Sequence, residues 1–181
     1  MNNSSETHTS AASTISRRWV IMGVCGCGKS EIGQRLATAL AIPFSEGDSY
    51  HPPANIQKMQ SGIPLTDTDR ADWLQVLKQQ LATARDNHQN LVLSCSALKR
   101  TYRDLLREAD PALVFVHLHG ERALITSRMR MRNDHFMPLS LLDSQLADLQ
   151  MLEVDETGLR LNIEQPPATL IEEIIDWTAG S

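Results

Sequence analysis

Short apolar segments recur along the chain at 19–24, 42–45, 91–95, 112–118 and 159–163, separated by stretches in which apolar residues return every three or four positions. The pattern predicts five strands, with helices over 29–41, 53–61, 67–87, 98–109, 121–132, 139–150 and 167–178. Thr66 or Asp67 suits the cap of the helix that carries Trp73, Leu74, Leu77 and Leu81, and Pro53 and Pro167 suit first-turn positions. Such alternation implies an α/β fold: a parallel sheet, right-handed crossovers and helices on both faces. Ligands of these sheets sit beyond the C-terminal ends of the strands, so chemistry is expected just after each one.

Composition narrows the picture. The 181 residues, 41% of them hydrophobic, fit one domain over 19–181. Residues 1–18 are rich in Ser, Thr and Asn, lack an apolar stretch, and read as a disordered tail. A transit peptide is the alternative offered by Arg17-Arg18, opposed by Glu6 and by the lack of amphipathic spacing. A net charge of −5 and a pI near 5.6, with no basic tract, exclude nucleic acid and anionic membrane as partners. No apolar run approaches the roughly 18 to 20 residues of a membrane span. A small anionic substrate needs only local cations, and among macromolecular partners only a second copy of the chain, as a homodimer, is retained. Three cysteines without a C-x-x-C pair predict free thiols in a reducing cytoplasm. Cys25 and Cys27, one residue apart with no second pair, are poorly spaced for zinc.

Three sites follow predicted strands and a fourth lies at the end of a predicted helix. Gly23-Val24-Cys25-Gly26-Cys27-Gly28-Lys29-Ser30 is a G-x-x-x-x-G-K-S run directly after the first strand. Its glycines allow a tight turn that aims backbone N–H groups at phosphate, at the positive end of the next helix. Lys29 supplies a point charge for the β/γ-phosphates and Ser30 a hydroxyl for Mg²⁺, so ATP with Mg²⁺ is the expected cofactor pair. Asp48, in Glu46-Gly47-Asp48-Ser49-Tyr50-His51-Pro52 after the second strand, could hold a Mg²⁺ water or accept a proton from an attacking hydroxyl, or could be an ordinary turn residue. After the third strand no Walker B aspartate is present; Ser94, Ser96, Lys99 and Arg103 supply polarity and charge. Lys99 and Arg103 share a helix face and suit a substrate carboxylate, the alternative being a solvated basic face with Arg100 and Arg107. Arg128 and Arg132, one turn apart before a loop containing His135 and ending at Pro138, suit a lid over transferring phosphates, or else a solvated helix end.

Taken in order, these segments resemble the gluconokinase family. The matching residues are Gly47-Asp48 with His51-Pro52; Asn55, Lys58-Met59, Gly62, Pro64-Leu65, Asp67, Asp69-Arg70 and Trp73-Leu74; Cys95 through Lys99 with Tyr102-Arg103-Asp104, Leu106 and Arg107; Arg128, Arg132 and His135-Phe136; and Asn162-Ile163 with Gln165-Pro166. The resemblance runs from about Trp19 to the C-terminus. It implies a three-layer P-loop kinase fold with a five-stranded parallel sheet, similar to nucleoside monophosphate kinases, with a lid at about 128–140. It also implies ATP-dependent phosphorylation of D-gluconate at its 6-hydroxyl. On this reading residues 23–30 hold ATP and Mg²⁺, and Asp48 orients or deprotonates the hydroxyl. His51, Arg70, Lys99, Arg103 and His135 contact substrate, Arg128 and Arg132 assist catalysis, and Gln165 and Pro166 bracket the adenine. Family P-loops commonly carry Ser or Thr where Cys25 and Cys27 stand, which leaves the backbone cradle intact and raises the expectation of oxidation sensitivity.

Two further readings are weaker. A shikimate kinase would show Asp-x-Asp after the second strand and a glycine-rich turn after the third, and both are missing. A regulatory GTPase would find its D-x-x-G in Asp155-Glu156-Thr157-Gly158, but no apolar strand precedes it and no N-K-x-D exists.

Overall fold

Every residue of Arg18–Met22 is buried, and successive side chains divide between two apolar clusters: Trp19 and Ile21 join one, Val20 and Met22 the other. A strand apolar on both faces must be covered on both, which makes it the centre of a three-layer sandwich. The computed structural model describes residues 16–131 and 138–180. Its strands are β1 (Arg18–Met22), β2 (Phe44–Glu46), β3 (Leu91–Ser94), β4 (Val114–His119) and β5 (Gly158–Asn162). Its helices are α1 (Lys29–Leu40), α2 (Pro53–Gln60), α3 (Asp67–Asp86), α4 (Arg100–Arg107), α5 (Arg122–Met131), α6 (Leu139–Asp148) and α7 (Pro167–Ala179). The sheet is parallel throughout, in the order β2-β3-β1-β4-β5. Helices α1, α5, α6 and α7 cover one face through Ile32, Leu36, Ile125, Leu142, Leu170 and Ile174. Helices α3 and α4 cover the other through Trp73, Leu77, Leu81 and Leu106.

Local chemistry sets the element ends. Thr66 caps α3 in a reciprocal capping box with Asp69. Ala41 ends α1 in the left-handed conformation, and the next N–H, from Ile42, returns to the Ala37 carbonyl at 2.9 Å. That closure holds Ile42 at the helix end, so the second strand begins at Phe44 instead of 42. The domain also starts earlier than its apolar pattern suggests. Arg18, assigned to the tail, is a buried β1 residue whose Nε donates to Asp110 Oδ2 at 2.6 Å, and the Arg17 N–H meets Asn90 Oδ1. The rest of the expected tail, residues 1–15, lies outside the described residues. Among the described residues no helix is long and apolar enough to cross a membrane.

Candidate active site

The strand order puts β1 at a switch point, with β3 on one side and β4 on the other, and the 23–30 turn emerges there. Gly28 takes φ +98°, and a side chain built on it would meet nothing within 4 Å; this glycine is required by backbone conformation and leaves open space over the start of α1. No side chain caps α1, so its first N–H groups are left for a ligand. Lys29 Nζ donates to the Val24 carbonyl at 3.0 Å, curled along its own loop. Burial works against its ammonium, but the acidic groups Cys27, Asp48, Cys25 and Glu46 around it hold its pKa above the ordinary lysine value. The Cys25 N–H donates to Gln145 Oε1 of α6 at 2.7 Å.

Of the two loop cysteines, Cys25 is held in its neutral form. Burial pushes the Cys25 thiol up to about 11, against the nearby Lys29 charge, and the Cys95 thiol up to about 12. Both are therefore protonated at neutral pH, which works against the expected oxidation sensitivity.

Across β3 from the phosphate loop, Glu46, Gly47 and Asp48 are locked in place by the strand between. Ser94 Oγ accepts the Gly47 N–H at 3.1 Å and donates to Glu46 Oε1, while the Gly23 N–H meets the Ser96 carbonyl at 3.2 Å. A Cβ on Gly47 would lie 2.0 Å from the Ser94 carbonyl oxygen, so only glycine fits. Gly47–Tyr50 form a 3₁₀ turn that the apolar pattern did not foretell, and it presents Asp48 half-exposed at the cleft. His51 Nε2 lies 3.9 Å from Asp48 Oδ1, and its other ring nitrogen is 3.4 Å from Asn55 Nδ2. Burial lowers the His51 pKa to about 4 despite Asp48, so the ring is neutral at physiological pH. Trp73 of α3 stacks on it and donates its Nε1–H to the Gly47 carbonyl at 2.8 Å.

One cleft gathers Cys25, Gly26, Gly28, Lys29 and Ser30 with Asp48, His51 and Arg70. Arg70 is buried, yet its guanidinium makes no hydrogen bond or ion pair among the described residues, and its Nε is an orphaned buried donor. A cation in that state is poised for an anion the protein does not itself provide.

The structure does not bring every expected residue to this cleft. Lys99 pairs with Asp67 at 2.7 Å and Asp148 at 3.7 Å and sits 5.8 Å from the Tyr102 ring. Arg103 is fully buried in a two-pronged pair with Glu156, both bonds 2.7 Å, and donates further to the Ala97, Leu98 and Gln150 carbonyls. Glu156 draws Arg107 as well, at 2.8 Å, so the two arginines converge on one carboxylate instead of facing substrate. Arg128 donates to the Ile163 carbonyl at 2.7 Å, tying α5 to the 162–166 turn. In that turn the Gln165 N–H meets the Asn162 carbonyl at 3.2 Å, and Pro166 precedes α7. Arg132, His135 and the centre of the expected lid lie outside the described residues. Ser96, marked in the sequence, does line the cleft, and so do Met129, Ser144 and Gln145, which nothing in their local sequence marked. The Gln145 contact spans 120 positions, a distance over which periodicity carries no information.

A phosphate cradle at a sheet's switch point, facing a carboxylate and a guanidinium with no partner among the described residues, defines a P-loop kinase site. A family model described as shikimate kinase matches residues 25–159. The chain is 46% identical over 156 residues to a gluconokinase of Gluconobacter oxydans, covering 86% of this chain and 88% of that protein. An unliganded sugar kinase structure from a Janibacter species superposes with a TM-score of 0.87 at 48% identity, covering 91% of this chain and 95% of that one. A gluconokinase structure from Sinorhizobium meliloti gives 0.83 at 44%, covering 91% and 93%. The chain belongs to the gluconokinase family.

Proposed function

We infer that this protein transfers the γ-phosphoryl group of ATP to the 6-hydroxyl of D-gluconate, giving 6-phosphogluconate and ADP. Arg70 carries the reading within the family: a buried guanidinium, without a partner among the described residues and in the same cleft as the phosphate loop, matches an acceptor with a carboxylate. Asp48, close to neutral His51, accepts the hydroxyl proton or orients the oxygen for in-line attack. Lys29 neutralises charge that develops on the phosphates. Among the described residues no group of three or more His, Cys, Asp or Glu gathers to cage a metal. Ser30 and Asp48, both lining the cleft, fit a Mg²⁺ that takes its remaining ligands from phosphate and water and would offset phosphate charge. Arg128 at the Ile163 carbonyl, with Gln165 and Pro166, forms the side assigned to adenine. The setting is the cytoplasm, where ATP is supplied and the free thiols persist.

The match to a shikimate kinase model favours shikimate as the competing acceptor. A coupled assay with ATP and Mg²⁺ across gluconate, related sugar acids and shikimate decides between them. Gluconate is expected to give the highest kcat/KM, with turnover abolished in Lys29→Ala; preference for shikimate would overturn the reading.

A further inference from the structure

Gln145 stands where the phosphate loop and the acceptor side of the cleft meet. Its Oε1 receives the Cys25 N–H at 2.7 Å, and it lines the cleft together with Asp48, His51, Arg70 and Ser96. A backbone N–H can only donate, so this bond fixes which end of the amide is oxygen. Among the described residues the Nε2 group has no hydrogen-bond partner. Gln145 itself is half-buried and lines the cleft, and its Nε2 carries two N–H donors.

The helix beneath it belongs to the core. Leu141 and Leu142 are buried, Leu146 and Leu149 pack on the same cluster, and just past the helix the Gln150 N–H donates to the Leu98 carbonyl at 2.8 Å. Gln145 is therefore a fixed part of the wall, its oxygen committed to the loop and its nitrogen without a partner among the described residues.

We propose that Gln145 is an acceptor-binding residue that joins the two subsites, its oxygen steadying the loop at Cys25 and its amide N–H groups donating to hydroxyl oxygens of a polyhydroxy acid. This rests on the reading of the acceptor as gluconate. The roles divide by chemistry. Arg70 meets the carboxylate charge, Asp48 receives the reacting proton, and a neutral amide meets neutral hydroxyls, where a second cation would gain little and cost desolvation.

The test compares wild type with Gln145→Ala and with Gln145→Met, the latter keeping side-chain length should the smaller residue disturb α6. Gluconate kinetics are measured at saturating ATP, and the Kd of a non-hydrolysable ATP analogue is measured without gluconate. Gluconate KM is expected to rise about tenfold, the loss of one or two hydrogen bonds to neutral groups, with the analogue Kd changed less than about threefold. An unchanged gluconate KM overturns the proposal, as does an analogue Kd shifted as much as KM, which would make Gln145 a support of the nucleotide loop alone. If wild type prefers another acid, the gluconate reading fails separately. The same comparison with that acid then decides Gln145.

Discussion

The rings of His51 and Trp73 stack with centroids 4.2 Å apart and planes 18° from parallel, while the same indole donates to the Gly47 carbonyl at 2.8 Å. One side chain of α3 thus fixes the imidazole and the backbone on either side of Asp48. Trp73→Phe keeps an aromatic face for the stack and leaves the Gly47 carbonyl without its donor. We expect a stability loss of about 1 to 3 kcal/mol in denaturant titrations, and a fall in kcat in the folded variant. Unchanged kcat would reduce Trp73 to packing.

Asp48→Asn preserves size and removes the charge that receives a proton. Its kcat should drop on the order of 10²-fold or more, while gluconate KM moves far less. Raised KM with wild-type kcat would make Asp48 a binding residue only.

Arg70→Met fills the same volume without the charge. Gluconate KM should rise on the order of 10 to 100-fold, the cost of losing a charged hydrogen-bonded partner. Thermal stability of the ligand-free variant should hold or increase, because an orphaned buried donor has been removed. Arg70→Lys should not restore KM, since an ammonium cannot form the two-pronged contact.

Acid should weaken the fold in two overlapping windows. Burial lowers His51 and His117 to about 4, against 6.5 when unfolded, so the unfolded chain binds protons more readily between these values. Stability falls as pH drops from about 6.5 toward 4. For Glu156, burial pushes the carboxyl up, but Arg103, the Glu153 N–H and Arg107 outweigh it and hold the pKa down at about 2, against 4.5 unfolded. Its contribution is whole above about 4.5 and is lost as pH falls toward 2. Urea titrations across pH should show both stages. Glu156→Gln should remove the lower one and cost about 3 to 5 kcal/mol at neutral pH, because Arg103 is left as an uncompensated buried charge.

Strand and helix order, the Thr66 cap, the phosphate loop and the position of Asp48 were legible in the chain because each is local. Hydrophobic period, cap chemistry and glycine spacing act over a few residues, and a distinctive run of motifs tied them to one family. Only the tertiary structure decided which cations face the cleft. Arg70, Lys99, Arg103 and Arg128 are equivalent charges in sequence, and their roles separate through partners far along the chain. Glu156 consumes Arg103 from 53 positions away, Asp67 holds Lys99 from 32, and the Ile163 carbonyl holds Arg128 from 35. Arg70 keeps a guanidinium with no partner among the described residues, and Gln145 reaches the loop, because α3 and α6 are brought to the ends of β1 and β3 by packing against the sheet. A buried charge takes the nearest counter-charge that folding supplies, and that neighbour is a property of the assembled layers.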